Sequence, residues 1–244
     1  MEFQALESTR IFGLRYLYQI MWATANFNFV YLLRVDDDYF VCLERLKAEL
    51  SFRPTERLIW GSYHCWYRDL IYVDEAWILF TSDIIECFLS QDPRNILCHP
   101  HADQQIPVWI NKLYNHNDSL VHFDDRRLHH YPPAKTIQKF NNISRVCDSY
   151  VGVHGSSPEM MLNFGRLSGD EPNSNSSPNL TPVTETCHFP NVFNISKIID
   201  PNKFELRPCL TNPRWTPKEE MWLGINSGGK IKRKVHVIIF HHIL

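Results

Sequence analysis

The stretch of sequence that decides the fold reads Phe29-Val30-Tyr31-Leu32-Leu33-Arg34-Val35-Asp36-Asp37-Asp38-Tyr39-Phe40-Val41. An apolar run typical of a β-strand ends in three consecutive carboxylates, and a second apolar step follows at once. Neighbouring like charges repel one another, and the repulsion grows away from bulk water. The triplet therefore indicates either a divalent cation with oxygen ligands or a solvated acidic turn, in which Asp is a favoured residue. On its own, the triplet leaves both interpretations open.

The bulk composition is that of an ordinary globular chain. The protein has 244 residues, of which 44% are hydrophobic and 21% charged, with a formal net charge of −2. Because basic residues form only one short run, at 230–234, a nucleic-acid partner is not expected. No apolar stretch approaches the roughly 18 residues needed to span a bilayer, and the residues after Met1 lack a signal-peptide pattern.

The cysteines and the glycosylation sequons bear on the cellular compartment. Seven cysteines show neither a CxxC pair nor zinc-ribbon spacing, so buried thiols and disulfides both remain open. Five N-x-S/T sequons permit N-glycosylation in a secretory compartment, at Asn117, Asn142, Asn175, Asn179 and Asn194.

Hydrophobic periodicity predicts alternating strands and helices. Helices are expected over 8–24, 40–50, 82–89 and 103–113, and strands over 29–34, 57–63, 76–80 and 120–123. This alternation favours an α/β fold with a largely parallel sheet that is covered by helices. Residues 1–166 are predicted to form the main domain and 167–183, rich in Ser, Asn, Pro and Gly, a flexible linker. The tail 184–244 contains several prolines and one convincing strand, at 221–225.

Five ordered landmarks within residues 5–166 carry a family resemblance. They are Gly13-Leu14-Arg15-Tyr16, the segment from Arg34 to Val41, Ile78-Leu79-Phe80-Thr81-Ser82-Asp83-Ile84-Ile85, Ala102-Asp103-Gln104-Gln105-Ile106-Pro107-Val108-Trp109-Ile110, and Tyr150-Val151-Gly152-Val153-His154-Gly155 followed by Pro158-Glu159-Met160-Met161. In order and spacing they resemble the β-1,3-galactosyltransferase family (glycosyltransferase family 31), which also includes β-1,3-N-acetylglucosaminyltransferases.

The resemblance implies a GT-A fold, which contains a Rossmann-like nucleotide-binding sheet. It implies transfer of galactose, N-acetylgalactosamine or N-acetylglucosamine from a UDP-sugar, with inversion and in β-1,3 linkage. The implied acceptor is a glycan on a glycoprotein or glycolipid. Members of the family are single-pass Golgi membrane proteins, so Golgi residence is implied in the same way. Donor sugar, acceptor and oligomeric state are not specified by the residues.

The same resemblance assigns roles to individual residues. Asp36, Asp38 and His154 are implied as ligands of Mn²⁺ or Mg²⁺, because a diphosphate leaving group needs its growing negative charge neutralised. Asp37 and Arg34, together with Asp36, are implied to bind the donor. Inversion requires one general base for the acceptor hydroxyl, and Asp103 occupies that position in the motif.

Each of these residues also has a simpler interpretation. Asp103 stands where a helix begins and could serve only as its N-cap. His154 could be a core histidine, and three tryptophans are expected in the core or in a cleft wall: Trp60, Trp77 and Trp109. Four further histidines lack the spacing of a zinc site and are expected to have no partner pattern: His99, His101, His129 and His130.

Several features depart from the family pattern. The residues Glu75-Ala76-Trp77 stand where the family has a glycine-rich turn next to the sugar, and Ala102, Gln104 and Pro107 replace motif residues. Only 35 residues precede Asp36, so the N-terminal part of the catalytic domain is expected to be missing and strand 29–34 to lack flanking strands. The tail resembles the family's stem and first strand, which suggests the start of a second transferase copy. The alternative functions are a catalytically inactive relative acting as a binding partner and an unrelated α/β protein with a cation site.

Overall fold

A computed structural model describes residues 12–66, 70–99, 102–113, 120–130, 133–140, 145–167, 180–187, 205–213, 215 and 235–240. Its strands are β1 (Tyr31–Asp36), β2 (Tyr39–Val41), β3 (Leu58–Trp66), β4 (Leu70–Thr81), β5 (Leu97–Cys98), β6 (Val121–Asp124), β7 (Leu128–His129), β8 (Gly152–His154), β9 (Thr181–Pro182), β10 (Arg207–Pro208) and β11 (Val235–Phe240). Its helices are α1 (Phe12–Asn26), α2 (Leu43–Leu50), α3 (Ser82–Leu89), α4 (Ala102–Leu113), α5 (Pro133–Phe140), α6 (Val146–Ser149), α7 (Pro158–Leu167) and α8 (Val183–Thr186). Short 3₁₀ turns lie at Pro93–Asn95 and Cys209–Thr211.

The predicted α/β class is confirmed, but the expected strand direction is wrong. The central sheet has the order β11-β1-β4-β3-β6-β9, and only its β3–β6 pair is parallel. The other pairs are antiparallel. Three residues separate β3 from β4, and a connection this short joins antiparallel strands, whereas a parallel pair needs a crossover of a dozen residues or more.

Strand β1 has a hydrogen-bonded neighbour on each side, which corrects a second expectation. It pairs with β4 along one edge, where Leu33 lies opposite Leu79. Along the other edge it pairs with β11, a strand that was not predicted, with Tyr31 opposite Phe240. The main-chain groups of β1 are therefore satisfied from both sides, and its edges are not exposed.

The sheet is covered on both faces, which explains why its strands read as continuous apolar runs. Leu32 points into a core cluster that also contains Ile20 of α1 and Trp109 of α4. The next residue, Leu33, points to the opposite face and packs in a second cluster with Leu46 of α2. Successive side chains of a strand face opposite sides, so β1 is buried along its whole length.

Helix α2 begins later than predicted. The helix expected over 40–50 begins at Leu43, because Tyr39–Val41 instead form β2. Strand β2 pairs with β8 in a separate three-stranded sheet of order β2-β8-β7. The pairing of β2 is long-range, and local helical periodicity therefore does not reveal it.

Described parts of the tail pack against the rest of the molecule. Strand β10 pairs with β5, and Cys209 forms a disulfide with Cys98. A second disulfide joins Cys42 to Cys147, and Cys87 is a free thiol. The predicted strand at 221–225 and residues 168–179 of the predicted linker lie outside the described residues, and the domain boundaries remain predictions. None of the described helices is long and apolar enough to cross a membrane.

Candidate metal centre

The acidic turn lies between β1 and β2 and is held against β8. Strand β1 ends at Asp36, and the next two aspartates form the turn that leads into β2. Because β2 and β8 are antiparallel, Tyr39 lies directly opposite His154. The amide of Ser156 donates to the carbonyl oxygen of Asp38 over 2.8 Å. The fold thus places His154 beside aspartates that lie over a hundred residues earlier in the chain.

Two aspartates and this histidine form a compact set of ligand atoms. The Nε2 atom of His154 lies 3.3 Å from Oδ1 of Asp38 and 3.8 Å from Oδ2 of Asp36. One ligand atom from each residue lies within 4.8 Å of the others. Among the described residues, neither ring nitrogen of His154 has a hydrogen-bond partner, although the side chain is only 12% exposed. An imidazole whose two nitrogens are buried and make no hydrogen bond to the described residues, beside two carboxylates, has the donor chemistry of a divalent metal site.

Two arginines balance part of the negative charge at this centre. The Nη2 atom of Arg34 lies 2.5 Å from Oδ1 of Asp36, and both side chains are buried. This ion pair holds one oxygen of Asp36, while the other faces His154. Burial and the charge of Arg34 lower the pKa of Arg15 on helix α1, whereas Asp36 and Asp37 raise it. In the sequence Arg15 belongs only to the Gly13–Tyr16 motif, and the structure places it within electrostatic reach of the acidic turn.

Glycines shape the histidine side of the centre. A Cβ atom at Gly152 would meet the ring of Tyr39 and, at 3.1 Å, the carbonyl oxygen of Phe40. The absence of a side chain therefore lets the Tyr39 ring lie stacked on His154, with ring centroids 5.7 Å apart. Gly155 follows with a φ of 71°, a left-handed conformation that favours glycine. It turns the chain so that Ser156 reaches Asp38.

The other residues singled out from the sequence are the predicted base and three tryptophans. Asp103 is the second residue of helix α4, but its side chain lies outside the described residues, so its roles as base or cap both stay predictions. The three tryptophans are each at most 2% exposed, which resolves their two interpretations in favour of the core: Trp60, Trp77 and Trp109.

A second cluster, which no sequence pattern indicates, is formed by His64, Asp74 and His130, and we call it the His–Asp–His cluster. Oδ2 of Asp74 accepts hydrogen bonds from Nε2 of His64 at 2.9 Å and from Nδ1 of His130 at 2.5 Å. The sequence around His130 shows no partner pattern, yet the fold gives this histidine two partners. Its partners come from β3 and β4, and no local spacing connects three residues so far apart in sequence.

The two clusters lie side by side. The rings of His130 and His154 are stacked with centroids 5.2 Å apart, and the His64 ring meets that of His130 edge-on with centroids 5.0 Å apart. Burial raises the pKa of Asp74, but the hydrogen bonds and charges of His130 and His64 outweigh it and hold the pKa below that of an ordinary aspartate. Asp74 is therefore an ionised, buried carboxylate.

Comparisons with known proteins add no assignment. No protein-family model matches this sequence, and neither does any curated protein sequence.

Proposed function

We propose that the protein is a UDP-sugar-dependent hexosyltransferase with a GT-A-type catalytic domain that forms β-1,3 linkages with inversion on glycan acceptors. The convergence of Asp36, Asp38 and His154 at the end of the buried strand β1 carries this proposal. Carboxylates at the end of an apolar strand, with one imidazole beside them, are suited to Mn²⁺ or Mg²⁺. Such a cation, when bound, neutralises the negative charge that develops on a diphosphate leaving group.

Each residue of the centre has a defined task in this proposal. Asp36, Asp38 and His154 hold the cation, and Arg34 fixes the carboxylate of Asp36 through its buried ion pair. Asp37, half-buried in the turn, binds the donor nucleotide. Asp103 takes the proton from the attacking acceptor hydroxyl, as general base catalysis requires.

The proposed compartment is the Golgi lumen. Structural disulfides persist in oxidising compartments and are rare in the cytosol. The two described disulfides, Cys42–Cys147 and Cys98–Cys209, support a lumenal protein, and the sequons agree with it.

The first experiment is calorimetric titration of the whole chain with UDP, with and without Mn²⁺. UDP binding should require Mn²⁺ and should weaken at least about tenfold in Asp38→Asn, since this change removes one ligand charge. Asp148→Asn is the matched control, because Asp148 forms a solvent-exposed ion pair with Arg145. Equal UDP binding by wild type and Asp38→Asn, or binding that ignores Mn²⁺, would contradict the proposal.

One observation favours the second candidate, an inactive relative that binds without transferring. Ala76 and Trp77 are each 1% exposed, and Trp77 packs edge-on against Trp60 where the family has glycines next to the sugar. A transfer assay distinguishes the enzyme from the inactive relative. It offers galactose- and N-acetylhexosamine-terminated acceptors together with a radiolabelled donor: UDP-galactose, UDP-N-acetylgalactosamine or UDP-N-acetylglucosamine. Metal-dependent UDP binding without labelled product identifies the binding partner, and labelled disaccharide identifies the enzyme.

A further inference from the structure

The His–Asp–His cluster draws its three residues from separate parts of the fold. His64 lies on β3, Asp74 on the neighbouring β4, and His130 directly after β7. One ligand atom of each lies within 4.8 Å of the other two. The proposed transferase function assigns no task to these residues.

The carboxylate of Asp74 is fixed in place. Its side chain is 4% exposed, and its Oδ1 atom accepts from the amide of Ala76 over 2.8 Å. This leaves Oδ2 aimed at both imidazoles. Because an ionised carboxylate only accepts hydrogen bonds, the facing nitrogen of each ring carries the donated proton. A buried negative charge is thus balanced by two imidazole N–H groups.

We propose that His64, Asp74 and His130 form a Zn²⁺ site, distinct from the centre at Asp36, Asp38 and His154. Two imidazole nitrogens and one carboxylate oxygen, with a fourth position for water, are a donor set of zinc sites. The side chains of His64 and His130 are 27% and 40% exposed, so solvent, and with it a water ligand and the entering ion, has access to the cluster.

The geometry requires little rearrangement for metal uptake. Ligand atoms around a tetrahedral Zn²⁺ are about 3.3 Å apart, given bonds of about 2.0 to 2.1 Å. The observed nitrogen–oxygen separations are 2.9 and 2.5 Å. They need to widen by only about 0.4 and 0.8 Å to reach the tetrahedral spacing. Metal uptake requires the proton on each nitrogen that faces Asp74 to leave it, either for the ring nitrogen that faces away or for solvent, so that the facing nitrogen supplies a lone pair to the metal.

The two neighbouring sites are expected to select different ions. Imidazole ligands suit zinc, while carboxylate ligands suit Mn²⁺ and Mg²⁺. The His–Asp–His cluster has two imidazoles and one carboxylate, whereas the centre at Asp36, Asp38 and His154 has one imidazole and two carboxylates. The stacked rings of His130 and His154 form the boundary between the sites.

The test uses the full chain, stripped of metal with a chelator and titrated with Zn²⁺ in competition with a chromophoric zinc indicator. Asp38→Asn, which weakens the neighbouring centre, should retain one tight zinc equivalent. His64→Gln/His130→Gln should bind that equivalent at least about 100-fold more weakly, because two of three protein ligands are lost. Far-UV circular dichroism of the metal-free variants checks that each is folded.

Two single variants keep the proposal testable if the double variant does not fold. His64→Gln changes a partly exposed ring, and Asp74→Asn keeps the shape of the carboxylate while removing its charge. Each should lower zinc affinity without altering Mn²⁺-dependent UDP binding. The proposal is overturned if Asp38→Asn holds no tight zinc, or if these folded variants bind zinc as wild type does. Absence of Mn²⁺-dependent UDP binding in the wild-type protein, with tight zinc binding retained, would refute the proposed transferase and leave this site standing.

Discussion

The disulfide between Cys42 and Cys147 should contribute a large share of the free energy of unfolding. It closes a loop with a sequence separation of 105 residues. In the chain-entropy model, a cross-link of that length removes about 16 cal/mol/K from the unfolded ensemble, which is about 4.8 kcal/mol at 25 °C. Domains of this kind have total stabilities of about 5 to 15 kcal/mol, so the loss should be plain in an equilibrium experiment.

The native contacts around this bond should survive its removal. The amide of Cys42 donates to the carbonyl of Val151, and Arg45 donates to the carbonyl of Cys147 over 2.7 Å. The double variant Cys42→Ala/Cys147→Ala should therefore fold with an unchanged circular dichroism spectrum. Its free energy of unfolding should fall mainly because the unfolded chain gains freedom.

Urea unfolding at 25 °C and pH 7, followed by tryptophan fluorescence, measures this difference. Cys87→Ala is the matched control, since Cys87 is a free thiol and its loss opens no loop. Peptide mapping of alkylated, unreduced protein should recover Cys42 and Cys147 in one cross-linked pair. A stability loss below about 1.5 kcal/mol in the double variant, or alkylation of either cysteine before reduction, would refute the loop-entropy reasoning.

Two further stability predictions concern a tightly packed glycine and a buried carboxylate. Gly13→Ala should destabilise the protein by about 1 to 3 kcal/mol, because the new Cβ atom would press on the hydrogen-bonded side chain of Gln105. Gly165 of helix α7 is the control, since a Cβ atom there meets nothing within 4 Å. In the same urea experiment, Gly165→Ala should be neutral or stabilising by up to about 1 kcal/mol. Glu49→Gln should cost about 3 to 5 kcal/mol at pH 7, because this buried carboxylate pairs with three arginines, whereas the exposed control Glu44→Gln should cost little. Burial alone raises the pKa of Glu49, but the arginines hold it below its ordinary value of 4.5, so its stabilisation is present above that pH and is lost as the pH falls through the folded pKa. The difference in free energy of unfolding between wild type and Glu49→Gln should accordingly narrow in unfolding curves recorded at pH 3 to 4. A difference that is independent of pH would show that the charge of Glu49 is not the source of the stabilisation.

Local sequence predicted the elements whose signals are local. Helix α3 occupies the predicted residues, Ser82–Leu89, because a β-to-helix change in periodicity occurs at that point. Strand β1 is predicted because its apolar run, which is buried on both faces, stands out locally. Both of its predicted ends lie two residues too early. Two residues of the short strand β2 fall within the predicted helix 40–50, because the strand's partner among the described residues, β8, lies over a hundred residues away.

The candidate site likewise combines residues with a local sequence signal and residues whose partners lie far away in the sequence. The aspartate triplet was visible as a local charge anomaly, and His154 was linked to it only by resemblance. The structure brings His154 to 3.3 Å from Asp38 because the β2–β8 pairing places their strands side by side. The partners of His130 could not be predicted, since neither spacing nor composition marks residues that meet only across three strands.

By itself, the sequence determined the α/β class, the apolar strand that ends in carboxylates, and four of the eight described helices, because hydrophobic periodicity and charge placement act over a few residues. Only the tertiary structure decided the direction of the sheet, the covering of β1 by β11, the pairing of the cysteines and the two clusters of ligand atoms. These features depend on contacts between distant segments, whose free energy is gained only after the chain has closed long loops, and no local pattern records which closures occur.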